Sequence, residues 1–303
     1  MDKKLTKFDI MMALGFIFAL VVGVGAFFFG LQTGKEQTDA KYQAMIAELT
    51  DEKNQNNVSY HQQQLVSFYH TVLLPFREFQ DTWFRHSETI GAGGSSTDAD
   101  ALLKELGRLA REHAGEIKPT TIPEVSPLLR ESQANYLKSL TLFAEATDRL
   151  QNGPDGAALA ETMRQDPYVA EAAGFALTAQ AQYYESIWKW NEANEPGLVG
   201  ADAITKDNLT FEEWRKLPLN GKNVFLARAL SAAGAFSPFY PQDVAARIDD
   251  LDAEGRIGQL QLGDLRSAVE MLLSTGAVRS NDFFRSKEKH YEGEKLPQLP
   301  FFY

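Results

Sequence analysis

Hydrophobic positions fall along this chain in three regimes. The first is continuous: from Ile10 to Leu31, twenty-two residues pass without a charge. As a helix that run is about 33 Å long, enough to cross a hydrocarbon core of roughly 30 Å. The second is sparse. Within the polar stretch 32–57, Tyr42, Met45, Ile46 and Leu49 sit at i, i+3, i+4 and i+7, which predicts one short amphipathic helix. The third begins near residue 58 and keeps helical spacing through most of the remaining chain.

Leu65, Tyr69, Val72, Phe76, Phe79 and Trp83 step by four and three, as on the buried face of a packed helix. Pro75 falls inside this stripe and should kink or restart the helix. After the loop at 91–97, Leu102, Leu106, Leu109 and His113 mark a second helix. Ser126-Pro127 predicts a third start, with Leu129, Gln133, Tyr136, Leu140, Phe143 and Leu150 following at helical spacing. A last long stretch, 156–194, is broken near Pro167 and carries Val169, Ala172, Ala176, Ala179, Tyr183, Ile187 and Trp190. Thr210-Phe211-Glu212-Glu213 is a capping box, and Leu209 can staple onto Trp214. Shorter helices are predicted near 220–233, 241–252 and 263–275, with Gly234 and Gly276 as stops. No segment alternates with a period of two.

The predicted fold class is therefore all-α. A short cytoplasmic tail (1–9) precedes a single transmembrane helix (10–31) and a helical stalk (32–57). An up-down four-helix bundle (58–195), a linker (196–208), a smaller helical domain (209–290) and a Pro/aromatic tail (291–303) follow. The apolar run exceeds the roughly 7–15 residues of a signal h-region, and its exit, Gln32-Thr33-Gly34, has no Ala-x-Ala pattern. It is expected to stay as a signal anchor. Lys3, Lys4 and Lys7 precede it, while Lys35 and Lys41 follow, so the charge bias is slight. The small N-terminal tail and the lack of cysteine favour a cytoplasmic N-terminus and an extracytoplasmic body at the cell membrane. Gly15, Ala19 and Gly23 form a small-residue face that would let two anchors pack as a homodimer.

Beyond Leu31 the chain carries 27 basic and 39 acidic residues. That field repels nucleic acid and anionic head groups, so no nucleic-acid partner is expected. The sequence lacks HExxH, a nucleophile elbow and a phosphate-cradling glycine loop, and its five histidines are scattered. An enzyme is therefore not expected.

Two segments stand out as candidate sites. Residues 250–261 resemble an EF-hand calcium loop, with Asp250, Asp252 and Glu254 at positions one, three and five. Gly255 stands at six and Ile257 at eight. The resemblance implies a calcium site, but Gln261 replaces the bidentate glutamate at position twelve. A helix-hairpin loop stopped by Gly255 accounts for the same residues without a cation. The second segment is the aromatic stretch 183–190. Tyr183, Ile187 and Trp190 suit the bundle core, whereas Tyr184 and Trp188 lie on another face. They either pack beneath the C-terminal helices or form a platform for an unknown protein partner. The tail, with Pro297-x-x-Pro300 and three closing aromatics, is either a peptide ligand or a strap on its own domain.

The leading functional expectation is a non-catalytic, membrane-anchored interaction or scaffold protein that binds through the Tyr184/Trp188 face and the groove between the two domains. The alternative is a ligand-capturing or accessory sensor ectodomain, with calcium through the acidic loop as its one candidate cofactor.

Overall fold

Helical spacing in the sequence becomes helices in space because each apolar stripe needs a neighbour to bury it. The structure, a computed structural model, describes residues 60–303 except 94–95, 152, 155 and 196–201. The expected anchor, with Gly15, Ala19 and Gly23, and the stalk lie outside the described residues. Among the described residues there are helices and no strands, and no helix is long and apolar enough to cross a membrane.

Four long helical segments build the first half. α1 (Gln62–Phe68) passes through a π-helical turn (Tyr69–Leu73) into α2 (Leu74–Gly91). α3 (Ser96–Ile117), α4 (Pro127–Leu150), the short α5 (Gly156–Gln165) and α6 (Pro167–Asn194) follow. The π turn answers the expectation of a break at Pro75. In a tight α-turn that proline ring would collide with the Thr71 carbonyl. The wider turn, in which the Leu74 N–H reaches the Tyr69 carbonyl, accommodates it without ending the helix.

Side-chain contacts set the direction of each helix. Gln182 donates to Glu131 near one end of the α4–α6 pair, and the Arg149 guanidinium sits 4.3 Å from the Tyr168 ring near the other, so these helices are antiparallel. Gln133 donates to the carbonyls of Ile117 and Thr120, while Arg111 pairs with Asp148, which makes α3 and α4 antiparallel too. Across the diagonal, Ser126 meets Gln64, Phe76 meets Tyr136 and Trp83 meets Phe143, so α1–α2 runs parallel to α4. That alternation is the geometry of an up-down bundle. The rings of Phe76, Phe79, Trp83, Tyr136 and Phe143 stack along its axis.

Two expectations shift in detail. On α3 the deepest residues are Leu103, Leu106, Ala110 and Ile117, with Leu102 and Leu109 only half-buried, because this helix packs on both α2 and α4. Ser126 does precede Pro127, but its hydroxyl donates to Gln64 Oε1 instead of capping α4.

The second half comprises α7 (Phe211–Lys216), α8 (Leu219–Ala232), α9 (Pro241–Ala253), the single turn α10 (Arg256–Gln259), α11 (Leu265–Ser274) and α12 (Asp282–His290). The Thr210–Glu213 capping box forms as expected, and Gly234 and Gly276 take left-handed φ values of 61° and 60° just past their helices. α8 lies along α6, α9 packs on α8, and α12 packs on α9. The hydrophobic core runs through both halves without interruption, and Val58–Tyr303 forms one compact unit. Of the linker expected at 196–208, residues 196–201 lie outside the described residues.

Helix contacts this close make glycine positions informative. A Cβ on Gly107 would stand 2.6 Å from the buried Thr147 hydroxyl, whereas one on Gly174 would meet nothing within 4 Å. Gly107→Ala should therefore destabilise by about 1–3 kcal/mol despite its gain in helix propensity. Gly174→Ala should stabilise by about 0.5–1 kcal/mol. Denaturant midpoints at unchanged m-value check both signs.

Candidate functional site

Of the two readings of Tyr184 and Trp188, packing beneath the C-terminal helices or facing a partner, the structure has the first: both are interior residues, each 1% exposed. They lie on the side of α6 that α8 and α9 cover. Gly221 of α8 makes the approach possible, since a Cβ there would come within 3.1 Å of the Trp188 ring. The Trp188 indole donates to Glu192, and the Tyr184 hydroxyl donates to Gln242 of α9 at 2.5 Å. These side chains offer no platform in this fold, because the second half of the chain is itself their partner.

The acidic loop is also engaged internally. Asp250 accepts from Ser286, Lys289 and His290 of α12 at 2.8–2.9 Å. Burial opposes its ionisation, but the bonds from Lys289, His290 and Ser286 prevail and hold its carboxyl at about 2. Asp252 receives a two-pronged contact from Arg215 at 2.6 and 2.7 Å. Glu254 lies 3.8 Å from Arg256, and Gln261 sits exposed at φ 53° beyond the α10 turn. The acidic side chains thus turn to different basic partners. Among the described residues no group of three or more His, Asp and Glu converges as a metal cage.

Two buried polar centres were not anticipated. In the first, Lys222 of α8 and Asp249 of α9 form an ion pair at 2.8 Å, each side chain 9% exposed. Asp249 also accepts from the Trp214 indole at 2.6 Å and the Tyr291 hydroxyl at 2.5 Å. Both carboxylate oxygens are therefore occupied, and the Lys222 ammonium lies 5.0 Å from the Trp214 ring. Such a saturated centre locks four elements together and leaves no free group for chemistry. Its sequence signal is one lysine whose neighbours three and four positions away, Pro218, Leu219, Phe225 and Leu226, are all apolar.

The second centre lies where α2, α4, α6, α9 and the C-terminal tail meet. Arg77 is 9% exposed, and its guanidinium is 3.8 Å from the Tyr240 ring centroid and 4.6 Å from that of Phe301. Tyr184, Tyr69 and Tyr136 complete its surroundings. Burial pushes the Tyr240 hydroxyl up to about 12 and raises Tyr136 and Tyr184 further, so all three stay protonated. Among the described residues no carboxylate comes within ion-pair distance of Arg77, and its Nε has no hydrogen-bond partner. Beside this centre, Phe76, Gln80, Tyr136, Gln180 and Tyr240 border a cavity of about 10 Å³. That is room for one water, far below the several hundred Å³ of a ligand pocket.

Comparison with protein-family models, with curated proteins and with solved structures found no match for this chain.

The ion pair carries a quantitative expectation. Lys222→Met or Asp249→Asn alone should cost about 3–5 kcal/mol, because each strands a buried partner. The combined Lys222→Met/Asp249→Leu variant should cost clearly less than the sum of the corresponding singles; strictly additive losses in a double-mutant cycle contradict the coupling. Asp243 carries a second. Burial, with Asp282 nearby, outweighs hydrogen bonds from the Tyr240 and Phe283 amides and the pull of the Arg77 charge, and lifts its carboxyl from 3.8 to about 6. The folded state thus holds this proton more tightly than the unfolded chain. The resulting stability is full below about pH 4 and is lost as pH rises through about 6. Between pH 5 and 7.5 stability should fall by about 1.4 kcal/mol from this group, half of the roughly 3 kcal/mol lost over the whole range. In Asp243→Asn that part of the slope should vanish in urea titrations at the two pH values.

Proposed function

We propose that this chain is a single-pass membrane protein whose helical body binds other proteins at the outer face of the cell membrane and catalyses no reaction. The observation that carries the reading is the uncharged run Ile10–Leu31, long enough to span a bilayer and followed by a large acidic body. The modest lysine excess before the run supports a cytoplasmic N-terminus, and the lack of cysteine suits an oxidising exterior. The face made by Gly15, Ala19 and Gly23 pairs two anchors side by side in this proposal.

Binding is favoured over catalysis by the state of the interior. Asp249, Asp250 and Asp252 are already held by Lys222, Lys289 and Arg215, so their charges serve the fold. The junction cavity, at about 10 Å³, is too small for a captured ligand. With Tyr184 and Trp188 inside, the proposed contacts fall on the outer helix faces.

The lack of cysteine makes the test direct. Single cysteines at the exposed positions Glu124 and Glu270 should react with a membrane-impermeant maleimide on intact cells. Labelling only after lysis contradicts the outer location. Photocrosslinkers placed over the outer helix faces should give discrete higher-mass adducts in native membranes. A panel that yields none contradicts the binding role.

A further inference from the structure

After α12 the chain runs from Tyr291 to Leu299 without helix and then makes a short 3-10 turn at Pro300–Phe302. This segment crosses from the C-terminal helices to the bundle. The Phe301 ring lies 5.7 Å from Tyr69, 6.3 Å from Tyr183 and 6.1 Å from Tyr184, and Phe302 meets Phe283 at 6.1 Å. Leu299, Phe301 and Phe302 are all buried.

The way the segment is held is that of a bound peptide. Its polar attachments to the helices end at Lys295. The Leu219 amide donates to Glu294 at 2.7 Å, Asn220 donates to the Lys295 carbonyl at 3.4 Å, and the Lys295 ammonium donates to the Asn194 carbonyl at 2.9 Å. Beyond that point the backbone bonds run within the segment itself, from Leu299 to Pro297, Phe302 to Leu299 and Tyr303 to Pro300. Side chains alone seat Leu296–Phe302. Pro297 and Pro300 stiffen the stretch, which lowers the entropy lost on docking.

The floor of the seat is unusual for a core. Arg77, a buried cation that no carboxylate touches among the described residues although the charges of Asp81 and Asp243 reach it from farther off, is stacked between Tyr240 and the incoming Phe301. Burying a cation with no carboxylate in direct contact is costly. An arginine flanked by tyrosines is instead well suited to gripping an aromatic side chain by cation–π contact. The π turn also belongs to the seat, since it carries Tyr69.

We propose that Tyr69, Arg77, Tyr183, Tyr184 and Tyr240 form a peptide-binding groove that Leu296–Phe302 occupies in cis as a displaceable strap, and that the same segment of a second copy takes the groove when it is open. The groove is complementary to this sequence, and another copy necessarily carries it. The nine residues from Tyr291 to Leu299 reach about 30 Å when extended, enough to cross to a neighbouring body.

The test uses the full-length protein in detergent micelles and a variant ending at Glu294. The probe is a fluorescent peptide with the sequence of residues 295–303. The truncated variant should bind it saturably, and the intact protein at least tenfold more weakly, because its own strap competes. Replacing both phenylalanines of the peptide by alanine should abolish binding. Truncated copies should co-purify intact copies carrying a different tag, and free peptide should release them. A truncated variant that remains helical but ignores the peptide overturns the groove. Peptide binding without capture of intact copies overturns the second-copy occupant. If truncation unfolds the chain, a protease site inserted after Gly293 is cut in the folded protein. Labelled peptide should then replace the severed strap faster than global unfolding. Exchange no faster than global unfolding makes the segment permanent core and overturns the proposal.

Discussion

The structure depends on one helix that cannot tolerate water on either of two faces. α6 directs Tyr183, Ile187 and Trp190 into the bundle and Tyr184 and Trp188 toward a second face about 100° round the helix, and all five are buried. A helix with large apolar residues on two faces needs cover on both. By area, burying one large aromatic is worth roughly 4–6 kcal/mol as an upper limit. A bundle left with Tyr184 and Trp188 in solvent would forgo an amount comparable to the stability of a whole domain. The second half supplies that cover, with α8 approaching at Gly221 and α9 reaching the Tyr184 hydroxyl through Gln242.

Once α8 and α9 are committed to α6, their own polar groups need partners. Lys222 and Asp249 pair between the two helices, Trp214 and Tyr291 satisfy the remaining carboxylate capacity, and α12 neutralises Asp250. The C-terminal strap completes the sequence of dependencies by laying Phe301 over Arg77 and against Tyr184. The charged residues of this region thus serve assembly.

Much of the architecture was legible locally. Stripe spacing, the proline at the head of α4, the Thr210 capping box and the glycine stops each act within a few residues, and each takes its expected place. What failed was long-range. Periodicity assigned Tyr184 and Trp188 to a second face of α6, but whether that face met solvent depended on residues 221 and 242, far along the chain. The acidic loop has calcium-like spacing, yet its carboxylates are claimed by Arg215, 37 residues before Asp252, and by Lys289, 39 residues after Asp250. Arg77 carried no signal beyond being a cation beside a buried stripe. Its meaning comes from Tyr240 and Phe301, which only the fold brings to it.

The central claim is that the bundle and the C-terminal helices are one cooperative body joined through α6. Native-state hydrogen exchange on the full-length protein tests it most directly. The slowest amides of α4, in the bundle, and of α8 and α9 should share a single opening free energy equal to that of global unfolding, and should shift together with denaturant. Opening of α8 and α9 at a lower free energy, with α4 still protected, would contradict the account and restore two separate domains.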